Sequence, residues 1–326
     1  MVKIFQLIML AALLSACTAS QPSLATITPT EMKSTEVMDL SSEEFTTTPA
    51  PSPTVKPPVP HFSHVAVIVF ENKEFSTVIG SRKMPNFNRL AEKYSLLTQH
   101  YAIRHPSLPN YIAMIGGDTF GIDHTCVDCF IDAPSLPDLI EFAGLTWKTY
   151  QEHMPAPCHK QDTLRYFQKH NPFIYFDNIR LDQERCDRSV VPLEELDADL
   201  ANSALPNFIF ITPDICNDAH DCGLEVADAW LHDWVNKLQA NPEFAEDGLI
   251  ILTWDEGQGD HTCCELTTGG GRIATILISP LAKNGFKDDT PYTHYSLLRT
   301  ISEAWGLPLL AHAGDEETNL ITAPWK

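Results

Sequence analysis

Apolar residues run almost unbroken through residues 64–70 (HVAVIVF), 207–214 (NFIFITPD), 248–256 (GLIILTWDE) and 272–280 (RIATILISP). Runs of this length, rich in β-branched residues and without polar alternation, predict strands buried on both faces. Three other stretches space their apolar residues at the helical period instead: 84–97 (MPNFNRLAEKYSLL), 225–240 (EVADAWLHDWVNKLQA) and 293–306 (THYSLLRTISEAWG). Strands alternating with helices predict an α/β fold, a three-layer α/β/α sandwich around a mostly parallel sheet, spanning residues 61–326 as one domain. Residues 145–205 show weak periodicity and read as an insertion, a lid over a site.

The N-terminus follows a different pattern. In MVKIFQLIMLAALLSAC (1–17), Lys3 precedes an apolar stretch that is short for a bilayer span, which reads as a secretory signal. Its end, Leu14-Ser15-Ala16-Cys17, looks like a lipobox. The expectation is an exported chain, lipid-anchored to the membrane at Cys17, on a bacterial cell surface or in the periplasm. Residues 18–60 are rich in Ser, Thr and Pro without a sustained hydrophobic period, so they read as a disordered tether.

Composition narrows the function. With 43 acidic against 22 basic residues the net charge is -21, and no basic cluster interrupts it, which excludes nucleic acid as a partner. An anionic substrate would need a cation at the site. Of nine cysteines, Cys17 belongs to the signal; the other eight (Cys126, Cys129, Cys158, Cys186, Cys216, Cys222, Cys263 and Cys264) form an even set in an exported chain. That set predicts disulfides of open connectivity, Cys216 and Cys222 bracing a loop. The Cys126-x-x-Cys129 pair lacks the second half that a zinc knuckle needs.

Three strands end in polar residues: Glu71 and Asn72 after the first; Asp214, Asp218 and His220 after the second; Asp255, Glu256 and His261 after the third. Ligands of open α/β sheets bind beyond the carboxyl ends of the strands, so these acids are expected to share one metal site. Oxygen ligands suit Mg, Ca or Mn, and the histidines admit Zn or Fe. A calcium loop of EF-hand type fails on spacing: counted from Asp214, position three is Cys216 and position six Ala219. In RHPSLPNYIAMIGG (104–117), Ser107 opens a helical pattern, where a hydroxyl meets an incoming anion.

In this order, Glu71-Asn72, HPSLPNY (105–111), DAHD (218–221), DEGQGDH (255–261) and THYSLLRTI (293–301) resemble the bacterial phosphoesterase family. That family contains acid phosphatases, phosphatidylinositol-3-phosphatase-like proteins and phospholipases C, within the alkaline phosphatase superfamily. The resemblance spans residues 61–310 and implies an alkaline-phosphatase-like fold. It implies a divalent metal held by Glu71, Asn72, Ser107, Asp255 and Glu256, with Ser107 also the nucleophile that becomes phosphoserine. His220 and His261 would be catalytic, and His105, Asn110 and His294 would bind substrate. Asp214 and Asp218 would offer a second metal site, although Asp218 stands where two-metal relatives carry histidine, which favours a single metal. The expected function is a metal-dependent phosphoric-ester hydrolase, a phosphomonoesterase acting as a monomer on a phosphorylated small molecule or a phospholipid headgroup. The alternatives are a phospholipase C-type phosphodiesterase and a non-enzymatic surface module that holds metal.

Overall fold

The computed structural model describes residues 57–326. The signal and lipobox, and all but the last four residues of the tether, lie outside the described residues. Of those four, Val59 is buried in the core, so the folded part starts slightly before residue 61.

Nine strands form one sheet: β1 (Val65–Phe70), β2 (Ser95–Tyr101), β3 (Trp147–Gln151), β4 (Val190–Pro192), β5 (Phe208–Thr212), β6 (Leu249–Trp254), β7 (Arg272–Ile278), β8 (Lys287–Asp288) and β9 (Tyr292–Thr293). The order is β4-β3-β5-β1-β6-β7-β2-β8, with β9 also on β2. From β4 to β6 every pairing is parallel; β7 runs antiparallel between β6 and β2. The mostly parallel sheet of the sequence reading is therefore present, with one reversed strand inside it.

Both faces of the sheet are covered, as the unbroken apolar runs require. Val65, Val67 and Val69 of β1 face one core with Leu108, Tyr111, Ile112, Leu297 and Ile301. These come from the helices Ser107–Gly116 and His294–Trp305. Ala66, Ile68 and Phe70 face the other core with Phe87, Leu90, Trp230, Leu231 and Val235, from the helices Pro85–Lys93 and Leu224–Ala240. Each large aliphatic side chain so buried contributes about 1.5–3 kcal/mol. Trp254 closes this second core against Phe70 and Phe87, at ring separations of 5.3 and 6.2 Å, and is a packing residue.

Two expectations are corrected. The helix expected over 84–97 stops at Lys93, and Ser95–Tyr101 is strand β2. Residues 145–205 are no insertion: β3 and β4 extend the main sheet beside β5. Their periodicity is weak because polar side chains sit inside the sheet. Gln151 Nε2 donates to Thr149 Oγ1 at 2.7 Å and Thr212 Oγ1 at 3.1 Å, so these buried groups satisfy one another.

One cap is supplied from a neighbouring helix. Met84, at the N-cap of Pro85–Lys93, has no side chain able to cap. The buried Asp228 carboxylate of Leu224–Ala240 accepts instead from the backbone N–H groups of Asn86 (3.1 Å) and Phe87 (2.9 Å). It also pairs favourably with the positive end of that helix's dipole. Asp228→Ala should lower unfolding stability by about 2–3 kcal/mol, read from urea denaturation, because buried amides lose a charged acceptor. A loss below about 0.5 kcal/mol would mean that water takes over the cap.

Candidate active site

β1 and β6 pair in register to their last residues, Phe70 beside Trp254. The next residues, Glu71 and Asp255, therefore leave the sheet side by side, about one strand spacing of 4.8 Å apart in backbone. Both are fully buried. Asn72 follows in the left-handed region (φ 56°), which asparagine tolerates better than most residues, and its N–H donates to Asp255 Oδ1 at 2.8 Å. Its side-chain amide donates to Glu71 Oε2, also at 2.8 Å.

Ser107 meets this pair from the other side. It is the first residue of a helix buried along its whole length, and its hydroxyl donates to Glu71 Oε2 at 3.0 Å. The same hydroxyl is near enough to Asp255 and Glu256 to lower the proton affinity of each. Free backbone amides at the helix start, with the dipole behind them, favour negative charge at this point. Glu256 receives His105: Nδ1 lies 2.7 Å from Oε2.

The 145–205 region adds the element that sequence reasoning missed. His170, buried in the 3-10 turn Gln168–His170, lies between two carboxylates, Nε2 at 3.3 Å from Glu71 Oε1 and Nδ1 at 3.5 Å from Asp218 Oδ2. The Tyr111 ring stacks on it, centroids 5.4 Å apart. In the sequence His170 lies at no strand end and in none of the acid- or serine-bearing motifs, so no local signal marks it.

Electrostatics follow from this crowding. Burial first, then the charges of Asp255 and Asp218, raise Glu71 well above the usual carboxylate range. Burial likewise raises Asp218 and Asp255. Glu256 is pushed up to about 9, by burial and then by Asp255. Burial, with the charges of Lys169 and His220, holds His170 well below its ordinary value and therefore neutral.

These residues fit a divalent cation. Four carboxylates crowd together, and Glu71 Oε1, Asp218 Oδ2, Asp255 Oδ2 and His170 Nε2 are buried without a hydrogen-bond partner. A neutral imidazole has one N–H, so one nitrogen of His170 must turn a lone pair toward a carboxylate. A cation resolves both conflicts, and Glu71, His170 and Asp218 each offer a ligand atom within 4.8 Å of the others.

The remaining sequence candidates divide. His220 lies beside the cluster, its ring 6.0 Å from that of His170, with Nδ1 held at 2.8 Å by Asp221 inside the Cys216–Cys222 loop. Asp214 does not join: its Oδ2 is paired with Arg165 at 2.5 Å and His153 at 2.8 Å, and its Oδ1 accepts from the N–H groups of Cys216 and Asn217. The Asn110 side-chain amide is engaged with the backbone of residues 103–106. His294 is fully buried behind the site, where Nε2 lies 2.6 Å from the Asp255 carbonyl, and burial lowers it to about 4. His261 is 71% exposed and leans on Glu74 at 3.5 Å.

Glu74 explains the glycines of DEGQGDH. Its carboxylate accepts from the N–H groups of Gln258, Gly259 and Arg272, folding residues 257–271 over the strand ends. A Cβ on Gly257 would stand 2.3 Å from Glu74 Oε2. Four disulfides are present, Cys126–Cys129, Cys158–Cys186, Cys216–Cys222 and Cys263–Cys264, so all eight cysteines of the folded part are paired. Two surface recesses, about 360 Å³ beside Lys93 and Gln239 and about 320 Å³ beside Trp147, lie at the opposite end of the sheet.

The Phosphoesterase family matches residues 81–308 of this chain. A probable acid phosphatase of Kluyveromyces lactis is 36% identical over 279 residues, 80% of this chain and 63% of that protein, so the chain spans less than two thirds of this relative's length. The phosphatidylinositol-3-phosphatase of Mycobacterium tuberculosis is 30% identical over 259 residues, 78% of this chain and 81% of that protein. Similarity to a yeast protein extends the resemblance beyond bacteria. A solved alkaline phosphatase superfamily protein from Vibrio parahaemolyticus shares the fold, with a TM-score of 0.53 at 13% identity over 79% of this chain and 71% of that one.

Adding Mn²⁺ to chelator-treated protein should raise its melting temperature, by an amount equivalent to about 2.7 kcal/mol at a hundredfold excess over Kd. The gain should be largely absent in Asp255→Asn, and an unchanged gain there would place the ion elsewhere. A carboxyl raised from its ordinary 4.5 to about 9 holds its proton more tightly in the folded state. Cation-free protein therefore loses stability from this group as pH rises through that window. The melting-temperature difference between loaded and stripped protein should widen from about pH 5 to about pH 8.

Proposed function

Because this chain belongs to the Phosphoesterase family, we propose that it is a metal-dependent phosphomonoesterase of acid phosphatase or phosphatidylinositol-3-phosphatase type, with Ser107 as nucleophile. The observation that carries this reading is the Ser107 hydroxyl, held at a buried helix N-terminus and bonded at 3.0 Å to a carboxylate that needs a cation.

Glu71, Asn72, Asp255 and Glu256 would hold the metal together with Ser107, and His170 and Asp218 would offer further ligand atoms. Oxygen donors predominate, which favours a hard cation such as Mg, Mn or Ca, while His170 admits Zn or Fe. When bound, the ion neutralises phosphoryl charge and lowers the pKa of a hydroxyl it touches. The Ser107 proton is already directed at Glu71 Oε2. Ser107 Oγ forms a bond to phosphorus as the bond to the alcohol oxygen breaks, leaving phosphoserine; the departing alcohol takes up a proton. Water then cleaves the phosphoserine and releases inorganic phosphate.

Two groups are placed to move protons. His105 Nδ1 and Glu256 Oε2 lie 2.7 Å apart, so a proton can pass between them. His220, its Nδ1–H directed at Asp221, presents Nε2 as a proton acceptor for the water that cleaves the phosphoserine. Asn110 acts indirectly, by holding the loop that carries His105. The substrate is a phosphorylated small molecule or a phospholipid headgroup. Export and anchoring at Cys17 belong to the same reading, and four disulfides support an oxidising compartment.

Ser107→Ala should lower kcat for 4-nitrophenyl phosphate by about 10³-fold or more, with the melting temperature of the metal-free protein near wild type. Preference of the wild type for methyl 4-nitrophenyl phosphate would move the assignment to the phosphodiesterase alternative. Retained activity in the variant would remove Ser107 as nucleophile.

A further inference from the structure

Lys169 precedes the buried His170 in the turn Gln168–His170 and is half-buried. Its Nζ lies 3.4 Å from His220 Nε2, and among the described residues it has no carboxylate within ion-pair distance. Neighbouring cations are all engaged. Lys73 Nζ donates to the Ala219 carbonyl at 2.9 Å, Arg165 pairs with Asp214 at 2.5 Å, and Arg104 leans toward Asp123 at 3.9 Å. Lys169 is nevertheless close enough to the site for its charge to lower the proton affinity of Glu71, Asp218 and Glu256.

Its contact with His220 is an exchangeable one. His220 Nδ1 faces Asp221 Oδ1 at 2.8 Å and so carries the ring proton, which leaves Nε2 as an acceptor for the ammonium. An ammonium bonded to a neutral nitrogen gains by taking an anionic oxygen instead, since charge-assisted hydrogen bonds are about twice as strong. Transfer to that oxygen would also free His220 Nε2 for proton transfer.

We infer that Lys169 selects phosphomonoesters over phosphodiesters by binding the non-bridging oxygen that carries the second negative charge. The inference rests on the phosphoesterase reading and deepens it. A monoester phosphate carries about -1.5 to -2 charges at neutral pH, whereas a diester keeps one and presents an alkylated oxygen in place of the second. A chain of net charge -21 repels a dianion over its surface, so discrimination in favour of one needs a positive group at the reacting phosphate. Lys169 is the cation near the cluster that is free to supply it, on a flexible stem with three donors.

The test compares purified full-length wild type, Lys169→Gln and Lys169→Arg, loaded with Mn²⁺, on 4-nitrophenyl phosphate and methyl 4-nitrophenyl phosphate. Inorganic phosphate is titrated calorimetrically in parallel. Lys169→Gln should lose about 30-fold or more in kcat/KM for the monoester and in phosphate affinity, the size of one charged hydrogen bond, while diester turnover changes less than about threefold. Lys169→Arg should keep most of the monoester preference. Equal losses on both esters, or unchanged phosphate affinity, would overturn the inference. If wild type turns over neither ester, the phosphoesterase reading falls by itself. The phosphate titration then still decides Lys169: a selective affinity loss in Lys169→Gln keeps its anion site, and unchanged or absent binding removes it.

Discussion

Two buried carboxylates at the ends of paired parallel strands set the terms for this molecule. A parallel ladder allows no sideways escape: with Phe70 beside Trp254, Glu71 and Asp255 must leave the sheet together. Their mutual repulsion and loss of hydration are unfavourable by any reckoning of buried charge. Several groups that converge there temper negative charge: the Asn72 N–H, the Ser107 hydroxyl, a helix N-terminus, and Lys169. A divalent cation would fit this balance, and the Ser107 hydroxyl is close to it for the same electrostatic reason.

Because the charges are fixed to strand ends, the loops around them must be held as firmly. Glu74 ties residues 257–271 down through three backbone amides. Asn110 clasps 103–106 from inside the helix that Ser107 begins, so Ser107 and His105 are positioned by one unit. The Cys216–Cys222 bridge closes the loop that presents Asp218 and His220. Each device converts a flexible connection into an extension of the sheet and so holds the charged groups in place.

Histidines and acids that look alike in the chain perform different tasks here. His294 and His100 are buried against each other, rings 5.4 Å apart, and burial keeps both neutral in the core. Asp214 neutralises Arg165 and caps a turn, while Asp218, four residues on, is left with an unpartnered oxygen facing His170. The difference lies in whether a cationic side chain from the 145–205 region arrives. That depends on β3 and β4, which the sequence pattern concealed because Thr149 and Gln151 are polar yet buried.

Local pattern determined the sandwich, because unbroken apolar runs can be buried only between two layers of helix. It also determined that acids crowd the strand ends, since strand direction fixes which end carries them. Glu71, Asn72, Asp255 and Glu256 were legible for that reason, and Ser107 as the start of a helical pattern. Tertiary structure alone decided which polar residues face the site. His170 and Lys169 reach it across more than sixty residues of chain from Ser107, while His261, five residues beyond Glu256, points to solvent. Sequence distance carries strand ends together through hydrogen-bond register, but a side chain's neighbours in three dimensions are set by packing, which no local period encodes.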